Sequence, residues 1–159
     1  MKTQRINSDS IPTSKGTYLL FLSNTKSQKI NIGKQGGFLF PSGLLVYVGS
    51  ALGAGGLRGR ISHHLRVNRK CHWHIDYLLQ KMPVYQVLYI ENPSRLEHKW
   101  AMLLERIPKL NIPMKRFGAS DCQCASHLFH IPSQDGEIRI EQKLKEDVLK
   151  EDVMKISIL

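Results

Sequence analysis

The chain has little cysteine, no long apolar run and few acids over most of its length, and each shortage removes a class of protein. Three cysteines among 159 residues, an odd count, do not make a disulfide framework, so the thiols are expected to be reduced and the protein cytoplasmic. No stretch approaches the ~18 consecutive apolar residues of a membrane span. Residues 1 to 10 are polar where a signal peptide would be apolar. Hydrophobic residues at 42% and charged residues at 23% set aside fibrous and disordered chains. The length suits one domain around one core, because soluble domains cluster near ~100–150 residues.

What is present in excess is positive charge, a net of +10. It is unevenly spread. Residues 135 to 159 hold seven acids against five bases, whereas residues 1 to 134 hold 18 bases against 6 acids, a net of +12. Between residues 58 and 70 lie Arg58, Arg60, Arg66, Arg69 and Lys70, with His63 and His64 and no acid. Such a patch is the footprint of a polyanionic partner, nucleic acid before an acidic membrane; a solvated helix face is the bland alternative.

Along the chain, residues 1–14 read as a polar lead-in. Thr17-Tyr18-Leu19-Leu20-Phe21-Leu22, Lys29-Ile30-Asn31-Ile32, Phe38-Leu39-Phe40 and Leu44-Leu45-Val46-Tyr47-Val48 read as four short strands separated by turns, an antiparallel meander. After the flexible Gly53-Ala54-Gly55-Gly56, Leu57, Ile61 and Leu65 recur every four residues, predicting a helix with Arg60 and His64 on the neighbouring face. A second helix is expected from His72 or His74 to Gln80, a strand over Val84 to Ile90, and a third helix starting at Pro93-Ser94 with Leu96, Trp100, Leu103, Leu104 and Ile107 as its apolar stripe. One more strand is expected over 126–131. Residues 133–159, with alternating charge signs, read as a charged C-terminal helix or appendage.

Gly16-Thr17-Tyr18 on the first strand, Tyr47-Val48-Gly49 on the last, and Leu57-Arg58-Gly59-Arg60-Ile61 on the following helix stand in the order of the GIY-YIG nuclease superfamily, which the sequence resembles. Three further blocks, Val46 to Gly53, His72 to Leu79 and Phe117 to Phe129, are similar to a small, largely uncharacterised branch of it, found alone or attached to endonuclease III in archaea and bacteria. The resemblance covers residues 16 to 131. It implies a single α+β domain over 15–132, an antiparallel sheet flanked by helices, and an endonuclease acting on DNA, with a connection to base-excision repair.

Phosphodiester hydrolysis needs a deprotonated nucleophile, positive charge on the phosphate and stabilisation of the leaving oxygen. The resemblance implies that Tyr18 or Tyr47 helps deprotonate water, that Arg60 binds the scissile phosphate, that His64 relays a proton or contacts phosphate, and that a glutamate holds Mg²⁺ or Mn²⁺. Eight residues on a helix separate Glu97 and Glu105 by about 80°, so both cannot serve one site equally; Glu97 is the preferred ligand, because its distance from Arg60 resembles the family spacing and it lies near the helix start, and Glu105, beside Arg106, is the alternative. Taken alone, Tyr18 and Tyr47 also suit core positions and Arg60 a solvated helix face. Thr17 and Val48 replace two isoleucines of the motifs, and Asn111 is the only candidate for an asparagine that braces many such cores.

Cys122, Cys124 and His127 give Cys-x-Cys-x2-His, and Cys71, His72 and His74 form another cluster. Cys-x-Cys is tighter than the usual zinc knuckle, so structural Zn²⁺ is the minor expectation beside packed cysteines. Two rivals to a nuclease follow: a non-catalytic nucleic-acid-binding module and a zinc-stabilised interaction domain.

Overall fold

The computed structural model describes residues 3–5, 8–68, 70–147 and 154–157. These form a single α+β domain of eight strands and four α-helices: β1 (Thr3–Arg5), β2 (Gly16–Asn24), β3 (Gln28–Asn31), β4 (Gly37–Phe40), β5 (Gly43–Ala51), α1 (Gly56–Leu65), α2 (His74–Leu79), β6 (Val84–Glu91), α3 (Glu97–Glu105), β7 (Leu128–Ile131), α4 (Gln134–Asp147) and β8 (Met154–Ser157). Six strands make the main sheet in the order β1-β8-β6-β2-β5-β7. Every pair in it is antiparallel except the outermost, β1 with β8. Among the described residues no helix is long and apolar enough to cross a membrane.

The expected meander is not the arrangement found. The nine-residue β2 and β5 pair directly, with Tyr18 opposite Gly49 and Leu20 opposite Tyr47, while β3 and β4 close into their own two-stranded hairpin. Length and apolarity decide this. β2 and β5 are apolar on both faces and bury both in the sheet centre; the four-residue β3 and β4 are half-exposed and contribute only Ile30 and Phe40 to the buried core.

Both faces of the sheet are covered. Tyr18, Leu20, Leu45, Tyr47 and Tyr89 pack with Leu57 and Ile61 of α1, Ile75 and Leu78 of α2 and the hairpin. On the other face Leu19, Phe21, Val46, Val48, Leu88 and Phe129 meet Trp100 and Leu104 of α3 and Ile140 and Leu144 of α4. The C-terminal helix therefore belongs to the core, and Lys99 on α3 pairs with Asp147 at its end at 3.0 Å. The expected lead-in likewise supplies β1 to the sheet edge and buries Ile11. Helix α3 begins at Glu97 rather than at Ser94; ahead of it the Asn92 side chain accepts the Ser94 amide at 2.7 Å in a turn.

Candidate active site

Two glycines of the strand motifs are explained by close approach. A Cβ on Gly49 would overlap the ring of Tyr18 across the β2–β5 pair, and one on Gly16 would overlap the Ile90 carbonyl and the Leu57 side chain. At the start of α1, Gly56 has a φ of +59°, and a Cβ there would run into the Thr13 and Ser14 carbonyls. The glycines thus seat the Tyr18 ring against β5 and bring α1 down onto the sheet end, which sets where Arg60 lies.

Arg60 lines a cleft of about 370 Å³ together with Tyr47 and Ser50 of β5, Trp73 and His74 at the start of α2, Arg95 and Glu97 at the start of α3, and Gly118, Ser120 and Asp121 of the following loop. The Arg60 guanidinium stacks over the Trp73 ring at 4.1 Å. A neighbouring depression of about 350 Å³ shares Arg60 and Trp73 and is walled by Gly53 to Gly56, His63 and Arg66. Of the two tyrosines, Tyr47 lines the cleft and Tyr18 is wholly buried beneath it.

Tyr18 ends in a buried chain of polar groups. Its hydroxyl lies 2.7 Å from His64 Nε2, and His64 Nδ1 lies 3.7 Å from Asp76 Oδ1. Asp76 is fully buried; its Oδ2 accepts the amides of His72 and Trp73 at 2.8 and 2.9 Å, and His63 Nε2 stands 3.3 Å from its Oδ1. Burial acts against the Asp76 charge, but His64 and the two amides outweigh it and hold the carboxyl well below its usual range. Burial lowers the His64 pKa, with Asp76 opposing the shift, so the imidazole is neutral at pH 7. A neutral His64 with Nδ1–H toward Asp76 presents its Nε2 lone pair to the Tyr18 hydroxyl, which donates, while the Tyr18 oxygen accepts from Arg60. Burial and the neighbouring Tyr47 raise the Tyr18 pKa despite Arg60; burial and Glu97 raise that of Tyr47.

Glu97 is held from the other side of the sheet end. Its Oε1 lies 2.9 Å from Nδ1 of the buried His127, and the Ser50 hydroxyl donates to the same carboxylate. Burial favours its protonated form, yet the neighbouring His127, Ser50 and His98 outweigh it and keep the pKa below the ordinary value. Nε2 of His127 faces the Cys122 thiol at 3.4 Å. The loop carrying Cys122 is clasped by Arg116, whose guanidinium donates to the carbonyls of Cys124 at 2.8 Å, Ala119 at 2.5 Å and Cys122.

The remaining sequence candidates divide. Glu105 is exposed at the far end of α3 and is not among the residues that line the cleft. Arg58 turns to the N-terminal segment, donating to the Ile11 and Asp9 carbonyls at 2.7 and 3.0 Å. His63 and Arg66 line the second depression, Lys70 is exposed, and Arg69 lies outside the described residues. Asn111 pairs through its backbone with His130 and is itself exposed. Cys124 is buried, its thiol pushed up to about 11 by burial and by Cys122. The sequence reading missed the roles of Asp76 and Arg95; an acid three residues after the position preceding a helix is a recognisable signal for the first, since it caps its own helix start.

Fold and site define a single-domain α+β protein with one cleft in which two arginines, two carboxylates and a tyrosine meet. Residues 17–149 match the family described as Domain of unknown function DUF123, and the chain belongs to that family. No curated protein matches the chain, and no solved structure does.

Proposed function

We propose that the protein is a GIY-YIG-type endonuclease that hydrolyses phosphodiester bonds in DNA with the help of Mg²⁺ or Mn²⁺, in a repair setting. The observation that carries the reading is the shared cleft: Tyr47, Arg60 and Glu97, separated by up to 50 positions in sequence, line one concavity with Arg95. An exposed helix face has no reason to converge on a carboxylate and a phenol from other elements.

The donors fit a hard cation. Glu97 is an ionised carboxylate, and Asp121 and Ser50 add oxygens along the same wall. Bound there, Mg²⁺ or Mn²⁺ would neutralise phosphate charge and lower the proton affinity of nearby groups, Tyr47 included. Arg60 and Arg95 are placed to hold phosphate oxygens, with Arg60 fixed by Trp73 and the Tyr18 hydroxyl. Tyr47 is the phenol that can meet the attacking water; Tyr18, buried behind Arg60, acts by positioning it, and His64 by accepting the Tyr18 proton in their hydrogen bond. The second depression, with its glycine backbone, His63 and Arg66, suits the next phosphate of the strand.

The test is cleavage of single-stranded, duplex and branched DNA by purified protein with Mg²⁺ or Mn²⁺. Activity is expected to fall at least ~100-fold in Arg60→Ala and Glu97→Gln while DNA binding by Glu97→Gln persists. Absence of cleavage on every substrate sinks the proposal, and retained salt-dependent binding would then favour the non-catalytic module. That rival has its own support in Tyr18 and Tyr47, both of which hold their protons in the free protein.

A further inference from the structure

Beside the cleft, on the far side of Glu97, three side chains from two elements face one another. His98 of α3 and Cys122 and His127 of the 116–127 loop bring one ligand atom each within 4.8 Å of the other two. His127 is fully buried, with Nδ1 2.9 Å from Glu97 Oε1 and Nε2 3.4 Å from Cys122 Sγ. The His98 and His127 ring centroids are 5.8 Å apart. The Glu97 carboxylate beside Nδ1 favours the tautomer that carries its proton there, which leaves the Nε2 lone pair on the Cys122 side. This is the tautomer and the carboxylate partner that a metal-bound histidine uses.

We infer that His98, Cys122 and His127 bind one zinc ion, at a site separate from the Mg²⁺ or Mn²⁺ position in the cleft. A thiolate with two imidazoles is a borderline-soft donor set that selects Zn²⁺ over hard cations. The spacing agrees. Ligand atoms ~2.0–2.3 Å from a tetrahedral ion sit roughly 3.3–3.7 Å apart, and the Cys122–His127 pair is at 3.4 Å before any ion enters. Binding replaces the Cys122 S–H proton, which is released to solvent, by Zn²⁺, and leaves a fourth position for water. The sequence cluster of Cys122, Cys124 and His127 contained two of these ligands; His98, on a helix more than 20 residues earlier, is the third, and Cys124 is not part of the group. The metal would tie α3 to the loop that carries Gly118, Ser120 and Asp121, and so fix one wall of the cleft and the Glu97 carboxylate together.

The inference concerns zinc in the protein without nucleic acid and stands or falls apart from the nuclease reading. Full-length protein, stripped by chelator and kept reduced, is titrated with Zn²⁺ and with Co²⁺. One equivalent of each is expected to bind, the cobalt form showing thiolate-to-metal charge-transfer absorption. Cys122→Ser, half-buried and so tolerant of change, should abolish that absorption; His98→Gln should weaken affinity, and Glu97→Gln, which removes the carboxylate behind His127, should weaken it roughly 10–100-fold. Cys71→Ser and Cys124→Ser should bind as the wild type does. Zinc should also protect Cys122 from alkylation, mapped by peptide mass spectrometry, while leaving Cys71 reactive. No stoichiometric binding by the wild type, binding unchanged in Cys122→Ser, or alkylation of Cys122 at the same rate with and without zinc each overturns the site.

Discussion

Replacing Asp76 by Asn tests whether the buried Tyr18–His64–Asp76 chain sets the state of the site. The change keeps shape and removes charge. The two amides of His72 and Trp73 still find an oxygen, but a neutral one, and hydrogen bonds to charged groups are worth about 1 kcal/mol more than neutral ones, so these two bonds and the loss of the His63 contact together predict about 2–3 kcal/mol of destabilisation at pH 7. With the oxygen committed to the amides, the new NH₂ faces His64 Nδ1 and forces the proton onto Nε2, so Tyr18 can no longer donate to His64. The pH dependence has a definite sign. The pKa of His64 is depressed in the folded state, so its contribution is complete above the unfolded value near ~6.5 and is lost as pH falls. Asp76 opposes that depression; without it the loss goes further, and the stability gap between variant and wild type widens from pH 7 to about pH 5. Below the unfolded carboxylate value near ~4 the gap narrows, because the wild type then loses the contribution of its own depressed Asp76. Urea unfolding midpoints between pH 4.5 and 8, with nitrogen NMR of the His64 tautomer, measure both effects. A gap below about 0.5 kcal/mol, a gap that shrinks between pH 7 and 5, or an unchanged tautomer refutes the chain as described.

Gly49→Ala should destabilise by about 2–4 kcal/mol, because the added methyl overlaps the Tyr18 ring and its displacement breaks the 2.7 Å bond to His64; a change in thermal midpoint of less than a degree would show that β5 yields freely there. Trp73→Ala removes the face on which Arg60 stacks, an interaction of about 0.5–1 kcal/mol at a half-exposed site, so DNA affinity should fall roughly 2–5-fold, with partial recovery in Trp73→Phe. Equal binding by the three proteins in a fluorescence anisotropy titration would remove Trp73 from the positioning of Arg60.

The legible parts of the fold were those fixed by local pattern. The apolar runs over β2 and β5, the four-residue spacing of Leu57 and Ile61 in α1, and the break at Pro83 all lie where the periodicity puts them. Pairing was not legible, because β3 and β4 look as strand-like as their neighbours, and it is their shorter length and half-exposed faces that keep them out of the main sheet. The C-terminal helix was read by its charges, while the buried Ile140 and Leu144 that dock it are two residues in a polar run. At the site, Asp76 was hidden for a related reason: its histidine partners come from α1, 12 and 13 positions earlier, and only the packing of α2 beside α1 brings them together. The division of Arg58 from Arg60 was within reach. Two residues on a helix point about 200° apart, so the densest basic run of the chain could not act as one surface, and Arg58 indeed faces the N-terminal segment.

That division changes what the basic excess can be doing. Within the cleft, Arg60 and Arg95 face Glu97 and Asp121, so formal charges cancel there and the net of +10 is carried elsewhere. On the nuclease reading, a neutral cleft is suited to chemistry that must hold a phosphate and a cation together, since unopposed arginines would repel the cation. Attraction of the polyanion then falls to the flanking surface, where Arg66 and His63 adjoin the glycine loop and share Arg60 with the cleft. Arg60 and Trp73 are common to both depressions, with the guanidinium stacked on the indole and tied through Tyr18 and His64 to Asp76. On that reading, a buried carboxylate of fixed charge behind an arginine that would serve two neighbouring phosphates accounts for so much polar structure placed under one half-buried side chain.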